Sequence, residues 1–62
     1  MNKAEKQALV NALENCINRE NRLAARYIEL NPADKELRER DKDLVILGIQ
    51  SMYLEIKKQL EV

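Results

Sequence analysis

Pro32 stands almost at the midpoint of the 62-residue chain and is its only proline, while Gly48 is its only glycine. A chain with so few breakers can form long helices, and it must change direction where its one proline sits. Residues 3 to about 30 carry apolar side chains at helical spacing: Leu9, Leu13, Cys16, Leu23, Tyr27 and Leu30, with Glu20 in the missing slot. Ala12, Ile17, Ala24 and Ile28 widen that stripe. In "NPAD", Asn31 suits a helix N-cap, Pro32 the first helical position and Asp34 the first turn. The pattern predicts one domain over 1–62: helix 1 over about 3–30, a turn at 31, and helix 2 over about 32–61, running unbroken through "DKD" at 41–43. So short a connection makes the two helices an antiparallel hairpin.

Helix 2 has two apolar faces. One stripe holds Ala33, Leu37, Arg40, Leu44, Leu47, Ser51 and Leu54, and folding the hairpin about Asn31 is expected to set it on helix 1. A wider face holds Val45, Ile46, Ile49, Met52, Tyr53, Ile56 and Leu60. This face has no partner in a lone hairpin, so it is the expected oligomer interface. Chains this short bury little surface and need a further brace. Cys16 has no partner cysteine for a disulfide, and with no histidine present no zinc site can form. The expected fold class is therefore all-α, an antiparallel two-helix hairpin completed by homo-oligomerisation into a helical bundle.

The chemistry of catalysis is missing from the composition. There is no histidine and no threonine, and Ser51, the single serine, has no base to activate it. Cys16 lies on the expected packing face and reads as a structural core cysteine. No cofactor motif, metal cluster or glycine-rich phosphate loop occurs, so a non-enzymatic protein is expected. Eleven acidic residues balance eleven basic ones, which argues against general DNA or RNA binding. No apolar run reaches membrane-spanning length and no signal-peptide core is present, so a cytoplasmic location is expected.

Two polar features call for explanation. Glu20 occupies a stripe position where leucine is expected, either pairing with Arg40 across the hairpin or contacting a ligand. In "NALENCINRENRLAAR", Asn11, Asn15, Asn18, Arg22 and Arg26 form one continuous stripe, flanked by Arg19. Asparagine is a mediocre helix former that can both donate and accept hydrogen bonds, and arginine offers a planar fork for phosphate oxygens. These six residues either bind a small anionic ligand or form an ordinary solvated face. Gly48 is explained by close approach of another backbone or by simple tolerance.

"AEKQALVN" (4–11) resembles the start of the long first helix in the small phage anti-CBASS proteins that act as sponges for cyclic oligonucleotides. "DKDLVILG" (41–48) is similar to the Asp-x-x-Trp-Val-x-Ile-Gly segment opening their last helix. Asp41, Val45 and Gly48 match it, Leu47 replaces the isoleucine, and Leu44 stands where that family carries an aromatic residue. The family's N-terminal Gly-Tyr segment has no counterpart here. The resemblance implies a compact homo-oligomer, a hexamer, with ligand sites between protomers and no catalysis, working in the host cytoplasm if phage-encoded. The alternative expectation is a small protein–protein regulator or inhibitor that docks its apolar helix 2 face on a partner protein.

Overall fold

The computed structural model describes residues 1–61 and is an antiparallel helical hairpin, measuring 45 × 15 × 14 Å along its principal axes. Helix α1 runs Lys3–Leu30 and α2 runs Lys35–Leu60, joined through Asn31 and one 3-10 turn at Pro32–Asp34. α1 begins in a capping box. The Asn2 side chain accepts from the Glu5 backbone N–H at 2.8 Å, and the Asn2 N–H donates to Glu5 Oε1 at 3.2 Å.

The turn departs from the expected one. Asn31 makes no side-chain cap for the 3-10 turn after it; it closes α1 instead. Its N–H donates to Tyr27 O and Ile28 O, and its Nδ2 donates to Tyr27 O at 3.0 Å. Both donors satisfy carbonyls that the helix end leaves unpaired. Pro32 then opens the 3-10 turn, where its missing N–H costs nothing, and α2 becomes regular only from Lys35. The Tyr27 hydroxyl donates to Asp34 Oδ2 at 2.9 Å and ties the turn back onto α1. α2 is continuous through "DKD".

The seam between the helices has a different phase from the expected one. On α1 the shielded positions are Lys6, Leu9, Val10, Leu13, Ile17, Glu20, Ala24 and Ile28; on α2 they are Arg38, Glu39, Lys42, Ile46, Ile49, Tyr53, Ile56 and Leu60. Ile46, Ile49, Tyr53, Ile56 and Leu60 thus belong to the inside of the hairpin. This corrects their assignment to an oligomer interface. Val45 and Met52, assigned with them, stay exposed. The stripe expected to meet helix 1 is turned outward, with Leu37, Leu44, Leu47 and Leu54 all exposed. On α1 the correction is smaller: Leu9 and Leu13 face the seam as expected, whereas Cys16, Leu23, Tyr27 and Leu30 do not.

The physical reason lies in side-chain shape. All five isoleucines face the seam, while six of the nine leucines face away from it. Ala24 and Val10 are the two buried positions among the described residues. Stiff β-branched side chains lose little freedom when fixed in such a narrow interface. At the open end of the hairpin, Lys3 and Lys6 line one hollow together with Gln59 and Leu60, so the first turn of α1 lies beside the last turn of α2.

Candidate functional site

Asn11, Asn15, Asn18, Arg19, Arg22 and Arg26 are all exposed. At about 100° per residue their stripe lies nearly opposite the seam, on the back of α1. Gln7 Nε2 donates to Asn11 Oδ1 at 3.1 Å, one turn apart, and lengthens the polar stripe toward the N-terminus. The hairpin brings the six residues together along one line and adds no residue from α2 to them. A single convex helix face cannot enclose a small molecule. Enclosure needs a second surface against the stripe.

The polar group inside the hairpin is a different one. Arg38 Nη2 donates to Glu20 Oε1 at 3.0 Å, with both side chains about four-fifths shielded from solvent. Glu20 is therefore paired across the seam as one of its two readings required, but with Arg38 in place of Arg40. The heptad-like seam 38–42–46–49–53–56–60 puts Arg38 in line with the isoleucines and turns Arg40 away. With its carboxylate held by a guanidinium, Glu20 is not aimed at an external ligand. Lys42 Nζ also lies 3.5 Å from Asp43 Oδ1, a surface pair between sequence neighbours.

Near the turn, Tyr27, Asp34, Leu37, Arg38 and Asp41 line an open hollow spanning both helices. The hydrogen bond to Asp34, together with the negative charge of that carboxylate, raises the Tyr27 hydroxyl above its ordinary pKa. Sequence reasoning missed this contact. Its signal was the spacing of a tyrosine and an aspartate on either side of "NP". At the other end, Lys57 Nζ donates to Tyr53 Oη at 3.2 Å and sits 5.3 Å from the ring centroid. That hydrogen bond raises the Lys57 pKa, and the Tyr53 charge adds to it.

The remaining candidates carry no reactive arrangement. Ser51 Oγ donates to Leu47 O at 2.9 Å, a local helical bond. Cys16 is a free, exposed thiol rather than a core residue. Among the described residues no cluster of His, Cys, Asp or Glu could hold a metal ion, and no helix is long and apolar enough to cross a membrane. A methyl group built on Gly48 would meet nothing within 4 Å, so the hairpin itself makes no close approach there.

What distinguishes the surface is its apolar content. Leu23 and Tyr27 on α1 and Val45 and Met52 on α2 are exposed, and helical phase sets all four on the same flank of the seam. Leu37, Leu44, Leu47 and Leu54 form a second exposed strip along the back of α2. Compared with family models, curated proteins and solved structures, the chain matches none of them.

Proposed function

We propose that this chain is a non-enzymatic binding module that works as a homo-oligomer, its asparagine–arginine stripe receiving a small anionic ligand of the cyclic oligonucleotide class. The carrying observation is the imbalance of the hairpin: Val10 and Ala24 are its buried core, while ten large apolar side chains stand exposed. A surface of this kind on so small a chain is a surface for association. Association also supplies the second wall that the convex stripe lacks. Asn11, Asn15 and Asn18 offer both donors and acceptors to base edges or ribose, and Arg19, Arg22 and Arg26 offer forks to phosphates. The resemblance of "AEKQALVN" and "DKDLVILG" to the sponge family agrees with this reading. A hexamer working in the cytoplasm is the form it implies.

A second reading is a regulator that docks an apolar face on a partner protein. The exposed flank of Leu23, Tyr27, Val45 and Met52 favours it, because an amphipathic partner helix needs a groove between two helices. One experiment separates the two: native mass spectrometry and thermal melts, with and without cyclic di- and trinucleotides. A ligand at 100 times its dissociation constant stabilises by about 2.7 kcal/mol, well within detection. An oligomer whose melt no nucleotide moves at millimolar concentration rules out the ligand and leaves the protein partner. A folded monomer at micromolar concentration rules out the homo-oligomer.

A further inference from the structure

Leu37, Leu44, Leu47 and Leu54 repeat at the spacing of a coiled-coil seam, with Arg40 and Ser51 in the intervening slots. All four leucines are 57–61% exposed, on the side of α2 turned away from α1. From this ridge we infer that a second copy of the chain docks antiparallel on the back of α2, about a two-fold axis passing between Leu44 and Leu47. This rests on the self-association proposed above and names the face and register that perform it.

The register follows from self-complementarity. About that axis, Leu37 of one copy lies opposite Leu54 of the other, Leu44 opposite Leu47, and Arg40 opposite Ser51. Every leucine meets a leucine and the two polar residues meet each other. Ser51 donates its proton to Leu47 O, which leaves its oxygen lone pairs for the Arg40 guanidinium. Sliding by one heptad sets Arg40 against Lys58 in one direction and against Leu44 in the other. A parallel pairing in register sets Arg40 against itself. Both alternatives place like charges together or strand a charge on leucine. Along one edge of the antiparallel ridge, Glu36 falls near Lys57 of the other copy, a favourable pair. At the ends of the opposite edge, Asp34 falls near Glu55, a like pair at the rim where salt screens it.

The hairpin is a rod of 45 × 15 × 14 Å that exposes 4954 Å², roughly 750 Å² more than a compact monomer of 7.3 kDa on the usual size scaling, so its long sides are the surface left for association. The result is a four-helix layer with the two α2 helices at its centre and both asparagine–arginine stripes on its outer faces, so this contact is the first step of assembly and the second wall of each stripe comes from further copies stacked on those faces.

Cysteine cross-linking reads the register directly. In a Cys16→Ser background, Leu37→Cys and Leu54→Cys are made as separate chains and oxidised alone and mixed. A disulfide needs Cα atoms within about 7 Å. The inference expects no cross-linked dimer from either chain alone and a mixed 37–54 dimer from the mixture, identified by mass spectrometry. Arg40→Cys with Ser51→Cys repeats the test without removing a leucine, so a folding defect in the first pair cannot hide the answer. Self-cross-linking of Leu37→Cys would show a parallel seam and overturn the inference. So would an oligomer by light scattering in which neither mixed pair cross-links, and that outcome leaves self-association standing through another face. A folded monomeric wild-type chain overturns both.

Discussion

Glu20 and Arg38 meet across the hairpin at 3.0 Å, eighteen residues apart in the chain and one from each helix. The pair sits in line with Ile17 and Ala24 on one side and Ile46 on the other, so it fixes the register of the two helices as well as their phase. Removing one partner leaves a shielded charge without its counter-ion. Glu20→Ala is expected to destabilise the protein by about 1–2 kcal/mol, and Arg38→Ala by a similar amount. Replacing both with leucine is expected to be neutral or stabilising. Urea unfolding of the singles and the double at one protein concentration measures the coupling. Zero coupling between 20 and 38, or equal coupling between 20 and 40, would contradict the pairing.

The Tyr27–Asp34 bond gives the turn an alkaline limit. The hydroxyl donates to a carboxylate, so the protonated tyrosine is favoured in the folded state and its pKa lies above the ordinary 10.0. A raised folded value means that the stabilisation is complete below pH 10 and is lost as pH rises through the folded pKa. In a Tyr53→Phe background, absorbance at the tyrosinate band should titrate above 10, and Asp34→Asn should bring the midpoint down. Identical titrations in the presence and absence of the Asp34 carboxylate would exclude the bond in solution.

Asparagines on an exposed helix face sacrifice helix propensity. Replacing Asn11, Asn15 and Asn18 together with alanine should stabilise the protein by about 1–2 kcal/mol, less the small Gln7–Asn11 contribution. A melt that rises while nucleotide binding disappears is the result that the proposed site requires. A melt that rises with no other consequence would mark the stripe as a solvated face.

Gly48 lies inside α2 with open space around its missing side chain. Gly48→Ala should therefore stabilise the helix by about 1 kcal/mol, which in a domain of this size raises the melting temperature by several degrees. Circular dichroism at matched concentration checks it. A fall in place of a rise would mean that another backbone occupies the space beside Gly48.

The two helices, their antiparallel pairing and the bend at 31–32 were legible because each follows from a local rule: helical spacing, a single proline, a short connection. The partner of Glu20 and the inward face of α2 were not. Spacing alone cannot choose between two apolar stripes on one helix, since both satisfy the same period. The choice lay in side-chain shape, with the β-branched Ile46, Ile49 and Ile56 of one helix and Val10, Ile17 and Ile28 of the other all turned to the seam, and in Arg38 falling on the isoleucine line. Cys16 was misplaced for the same reason, because the leucine stripe to which it belongs points outward. Asn31 was read for the helix after it, although an asparagine between two helices can equally close the one before it. The asparagine–arginine stripe was legible as a line of residues. What faces it was not, because one chain supplies only its convex side.

The hollow shared by Lys3, Lys6, Gln59 and Leu60 puts the first turn of α1 next to the last turn of α2. Nothing in the isoleucine seam depends on which helix is made first. A chain reordered to begin at Lys35, carry a short linker from Leu60 to Lys3 and finish at Leu30 would present the same two surfaces to one another. Such a permutant exchanges the pole at which the two helices are joined while leaving the Glu20–Arg38 contact in place. The order of the helices is thus a property of the gene, and their phase a property of the side chains.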